Sequence, residues 1–107
     1  MISPAEIQGI SDVIVKTIKP EKVILFGSYG RGDATDDSDV DLFVVAATSL
    51  PRKDRSPAIR RLFVGKRIPL DILVYTPDEV AYWKDTPASL VAQVLREGRV
   101  LYAEQSK

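Results

Sequence analysis

Asp39 and Asp41 lie two residues apart where a glycine-rich stretch, "GSYGRGDATDDSDVDL", gives way to an apolar run. Side chains two apart in a strand point to the same face, so these two carboxylates are expected to converge. Two anions on a partly buried face repel each other and raise a pKa unless a cation lies between them, which invites a divalent metal. All-oxygen ligation selects magnesium or manganese over zinc. A third carboxylate, Asp71, is embedded in the apolar run "PLDILVY", where an unpaired charge is costly unless it is neutralised. If the two runs are neighbouring strands, Asp71 reaches the same cation site. Three carboxylates on adjacent strands then form a two-metal centre whose ions bridge an attacking and a leaving oxygen.

Gly27 and Ser28 follow the apolar "VILF", with Gly30 and Gly32 close behind. Glycines there let backbone N–H groups approach an anion, and the Ser28 hydroxyl adds a hydrogen bond. Arg31 would help to neutralise a phosphate tail, so the stretch suits a nucleoside triphosphate. Each piece alone is common. A lone D-x-D is usually a solvated turn, and a strand-embedded aspartate is as often half of a structural ion pair. Asp33, Asp36 and Asp37 read as turn formers that keep a loop wet. What changes the odds is the spacing: G-S, ten residues, D-x-D, then an aspartate in a later apolar strand.

The elements that must position these groups follow from the pattern along the chain. Ser3-Pro4-Ala5-Glu6 is a cap, a helical proline and a capping-box glutamate. Ile7, Ile10, Val13, Ile14 and Ile18 then recur at helical spacing until Lys19-Pro20. Lys22 to Phe26 reads as a buried strand stopped by Gly27, and Val40 to Ala47 as a second strand, apolar on both faces beyond its aspartates. Residues 51 to 66 read as a basic helix that Ser56-Pro57 either splits or begins, and Pro69 to Tyr75 as a third strand. Thr76-Pro77-Asp78-Glu79 opens a short helix through Val80 and Trp83, and Thr86-Pro87 opens a last helix with an inner stripe of Leu90, Val91, Val94 and Leu95, closed by Gly98. "RVLYA" can add a fourth strand. The alternation predicts one domain over residues 1–107, an α/β (α+β) fold with a single mixed sheet of three to four strands flanked by helices.

Composition limits the chemistry further. The chain has 107 residues, no cysteine and no histidine, and fifteen basic against fifteen acidic residues. Thiolate sites, imidazole bases and histidine-dependent triads are therefore ruled out, and carboxylates, lysines, tyrosines and hydroxyls remain. No signal peptide or membrane span is read, and the expected location is the cytoplasm. Charge is unevenly placed: residues 27 to 41 hold five Asp and one Arg, whereas residues 52 to 67 hold seven Lys or Arg and one Asp. That basic cluster (Arg52, Lys53, Arg55, Arg60, Arg61, Lys66, Arg67) can contact nucleic acid or an acidic partner, but such faces are usually just solvated. Aromatics are not interleaved with it, which weakens the case for single-stranded nucleic acid. Tyr82 and Trp83 are read as packing residues rather than a base-stacking platform. Tyr29 is read either as packing or as covering a nucleotide.

The combined pattern resembles the minimal nucleotidyltransferases of the DNA polymerase beta superfamily, the group often found beside HEPN-domain proteins. The resemblance rests on "VILFGSYGRGDATDDSDVDLFVV", "PLDILVYTPDEV" and "REGRVLYA" and spans nearly the whole chain. It implies that Gly27 and Ser28 hold the triphosphate. Asp39 and Asp41 would bind metal, with two magnesium ions expected and manganese an alternative. Asp71 would complete the site and assist deprotonation of the attacking hydroxyl. Gly30 stands where many members have alanine. The implied activity is transfer of AMP from ATP to a hydroxyl. The implied acceptor is a tyrosine of a partner HEPN toxin, which would make the chain an antitoxin. The alternatives are an aminoglycoside-type small-molecule nucleotidyltransferase, for whose substrate the chain has little room, and a non-catalytic module that neutralises a toxin by covering it.

Overall fold

Ser3 accepts a hydrogen bond from the Glu6 N–H at 3.1 Å while Glu6 accepts from the Ser3 N–H, the reciprocal cap that starts helix α1 (Pro4–Ile18). The helix stops at Lys19, whose left-handed φ of 51° turns the chain into strand β1 (Lys22–Phe26). This computed structural model describes residues 1–105. Beyond β1 come helix α2 (Gly27–Arg31), strand β2 (Val40–Val45), helix α3 (Arg52–Arg60) with a 3-10 turn over Arg61–Phe63, strand β3 (Leu70–Tyr75), helices α4 (Pro77–Trp83) and α5 (Leu90–Glu97), and strand β4 (Arg99–Ala103).

The four strands form one mixed sheet in the order β3-β2-β1-β4. β1 pairs antiparallel with both β2 and β4, and β2 pairs parallel with β3 through the α3 crossover. Alternation divides the strand residues between two layers. Val23, Leu25, Leu42, Val44, Ile72 and Val74 pack with Ile7, Ile10 and Ile14 of α1 and Ile59 of α3. Ile24, Phe43, Val45, Leu73 and Tyr75 face the other way, against Val80 of α4 and Val91 and Val94 of α5. The central strand is covered on both faces, which is why Leu42 to Val45 is continuously apolar and buried.

Several details differ from the reading of the sequence. The glycine-rich segment contains a helical turn, α2. The second strand ends at Val45 rather than Ala47. Pro57 lies inside α3, so it neither splits nor begins the helix. The last helix starts at Leu90, capped by Ser89, whose Oγ accepts from the Ala92 N–H at 3.1 Å; Pro87 belongs to the turn before it. Leu90 and Leu95 are 38% and 39% exposed, leaving Val91 and Val94 as the inward pair. Among the described residues no helix is long and apolar enough to cross a membrane.

Candidate active site

β2 and β3 place Asp41 directly beside Asp71 as register partners in the parallel ladder. Both belong to the face that continues through Phe43 and Val45 on β2 and Leu73 and Tyr75 on β3, so their side chains share one side of the sheet. Asp71 is exposed on the edge strand, and Asp41 is half-buried beneath the turn that follows β1. Burial raises the Asp41 pKa, and repulsion from Asp71 and then Asp39 raises it further, while Arg31 opposes them. Asp71, Asp39 and Arg31 therefore each lie within electrostatic reach of Asp41.

Asp39 is exposed and precedes the first residue of β2, so strand alternation does not dictate its direction. Among the described residues no three Asp, Glu, His or Cys side chains are drawn together tightly enough to hold an ion by themselves. The fold sets up a pair, Asp41 and Asp71, with Asp39 one step beyond the strand.

Gly27 stands over this pair. It directly follows Phe26, the register partner of Asp41, has φ of 66°, and any Cβ there would overlap the Asp41 Oδ2 atom. Only glycine combines that backbone conformation with that approach. Gly30 is also close-packed: a Cβ would lie 2.7 Å from the Leu25 carbonyl oxygen. Ser28 is half-buried in the first turn of α2, and Arg31 closes that helix, its Nε 3.3 Å from Asp33 Oδ2. Tyr29 points away from this site. It is buried in the α1 layer, and its hydroxyl accepts from the Ile2 N–H at 3.0 Å.

Helix α5 forms a wall in which Leu90 and Val94 were expected to face inward and Gln93 and Glu97 were not. Leu90, Gln93, Val94 and Glu97 face Phe26, Gly27 and Arg31 across a cleft of about 180 Å³. Gln93 and Glu97 complete their i, i+3, i+4, i+7 spacing, but both are polar, so nothing marked those two as turned inward. Leu90 also borders a second cleft of about 350 Å³ with Arg52, Tyr75, Trp83, Ser89 and Val91. There the Arg52 guanidinium lies 4.5 Å from the Tyr75 ring centroid, and that ring stacks on Phe43 at 5.0 Å. Tyr82 and Trp83, read from the sequence as core or helix-packing residues, are 74% and 39% exposed, so neither is in the core, and they pack edge-on against each other.

The all-oxygen donor set and the partly buried, mutually repelling carboxylates fit a hard divalent cation. In the described ion pairs the acidic partners are Asp33, Asp36 and Glu79, none of them from the Asp39, Asp41 and Asp71 set. With a cation held between them these carboxylates would offset phosphate charge, and a free carboxylate oxygen can take a proton from an approaching hydroxyl.

Comparison with known proteins points the same way. The family model described as polymerase beta, nucleotidyltransferase matches residues 8–107. A Methanocaldococcus jannaschii protein provisionally named a protein adenylyltransferase is 34% identical over 82 residues, 77% of this chain and 78% of that protein. The crystal structure of a provisionally named nucleotidyltransferase from Sulfolobus solfataricus superposes with a TM-score of 0.63 at 23% identity, covering 92% of this chain and 78% of that one. A toxin-antitoxin crystal structure with AMP-PNP superposes with a TM-score of 0.64 at 24% identity, covering 92% and 74%. At these identities the two structures speak to the fold.

Proposed function

The chain belongs to the polymerase beta nucleotidyltransferase family and is a nucleotidyltransferase; from that premise we propose that it transfers AMP from ATP to a hydroxyl of a partner protein. The observation that carries this reading is the in-register Asp41–Asp71 pair on one sheet face beneath Gly27. The curated relative named for protein adenylylation supports a protein acceptor, and the toxin-antitoxin neighbour supports a toxin as that protein. A HEPN-type toxin modified on tyrosine is the proposed acceptor, with this chain as antitoxin.

Gly27, Ser28 and Arg31 hold the β- and γ-phosphates, and the glycine lets backbone N–H groups approach them without a side chain between. Asp39, Asp41 and Asp71 would hold magnesium, which, when bound, neutralises phosphate charge and favours the ionised acceptor oxygen. Asp71, on the edge strand, is open to an incoming hydroxyl and accepts its proton. The acceptor oxygen bonds to the α-phosphorus, the bond from that phosphorus to the β-phosphate oxygen breaks, and pyrophosphate leaves toward Arg31. Most of the acceleration comes from alignment and charge neutralisation.

The test is incubation with α-labelled ATP, magnesium and a toxin encoded beside this chain. Label is expected on a toxin tyrosine, falling at least about 100-fold with Asp41→Ala or Asp71→Ala. Label on a small alcohol instead would support the small-molecule reading. Neutralisation of the toxin by Asp41→Ala without labelling would replace catalysis by simple covering.

A further inference from the structure

We infer that the cleft between Tyr75 of β3, Trp83 of α4 and Leu90 of α5 is the nucleobase subsite of the donor nucleotide, and that Trp83 is its stacking surface. The inference deepens the proposed function, because it takes from it the position of the triphosphate.

Polarity along the sheet supplies the first argument. The phosphate turn follows β1, and the carboxylates lie on β2 and β3, the next two strands in order. A triphosphate anchored at α2 with its α-phosphorus over Asp41 and Asp71 must send its sugar and base away from α2, toward β3. On that face and side lies the second cleft, and Leu90 is common to both, so a single molecule can pass from one to the other along α5. Tyr75 follows Asp71 by four strand residues, about 13 Å at the usual rise.

The lining supplies the second. Trp83 and Leu90 are large apolar side chains left 39% and 38% exposed beside a polar site. Tyr82 meets Trp83 edge-on, ring centroids 4.9 Å apart at 82°, which braces the indole at the surface. Arg52, stacked on Tyr75 and 3.4 Å from Glu79, closes the opposite wall with N–H donors that suit the ring acceptors of a base. A flat, heteroaromatic ring is the ligand such walls accept, and ATP carries one at the end remote from its phosphates.

The test compares ATP with inorganic tripolyphosphate, which has the anionic tail and no base, in magnesium and without any acceptor. Trp83 is the only tryptophan in the chain, so its fluorescence reports directly. ATP is expected to quench it and tripolyphosphate to leave it unchanged. In equilibrium dialysis, Trp83→Ala is expected to weaken ATP binding about tenfold or more while tripolyphosphate binding stays the same. Equal weakening of both ligands, unchanged ATP affinity, or a raised KM for the protein acceptor at unchanged ATP affinity would each overturn the assignment. A chain that binds ATP in this way yet labels no protein refutes the protein acceptor and leaves the subsite standing; if neither ligand binds, both readings fall.

Discussion

At Gly27 two demands meet in one residue: a left-handed backbone and a close approach to the Asp41 carboxylate. Gly65 shares the first demand, with φ of 86°, but has no neighbour within 4 Å of where a Cβ would sit. Alanine at either position costs about 1–2 kcal/mol of backbone strain. Gly65→Ala is therefore expected to lower stability and keep nucleotidyl transfer, whereas Gly27→Ala, pushing a methyl into the Asp41 carboxylate, is expected to reduce transfer at least about 100-fold. Melts and rate measurements on the pair separate strain from chemistry. Equal activity in the two variants would show that the Gly27–Asp41 approach is not needed.

Among the elements, α4 ties the start of α3 to the end of β3 and so fixes the far wall of the second cleft. Its capping acid Glu79 accepts hydrogen bonds from the Thr76 N–H at 2.8 Å and from Arg55 at 2.7 Å. Burial alone would raise the Glu79 pKa, but the Thr76 N–H, Arg55 and then Arg52 together bring it from 4.5 down to about 2. A depressed folded-state pKa stabilises the fold at pH above the ordinary carboxylate value, and that contribution is lost as the pH falls from about 4.5 toward 2. Glu79→Gln is accordingly expected to cost about 1–2 kcal/mol at pH 7, after allowance for solvent screening, and much less near pH 2. Urea melts at the two pH values check it, and a cost that does not change with pH would mean that the charge contributes nothing.

Across the whole molecule the sheet order stores an electrostatic conflict, because it sets Asp41 against Asp71 in a partly covered position. The Asp41 carboxyl holds its proton more tightly folded than unfolded, so its ionised form lowers stability as the pH rises through that raised pKa. Asp41→Asn is expected to raise Tm by a few degrees at pH 7 without divalent cations, with the gain vanishing in acid. Magnesium is expected to raise the wild-type Tm and to leave the variant nearly unchanged. A cation effect of equal size in both proteins would remove Asp41 from the binding site. The elements themselves were legible in the chain: Ser3 and Glu6 start α1, Thr76 and Glu79 start α4, and the apolar runs mark the strands, because caps and periodicity act over a few residues. The candidate acids were legible for the same reason, as aspartates intruding on apolar runs at a telling spacing. Which strand lies beside which was not, since the pairing of Asp41 with Asp71 depends on a parallel crossover spanning α3. Nor was the inward turn of Gln93 and Glu97, or the exposure of Trp83. The sequence alone determined the local elements and the residues able to do chemistry, whose causes are short-range. Only the tertiary structure decided which of them face one another, because contacts between residues far apart in the chain follow from how whole layers pack.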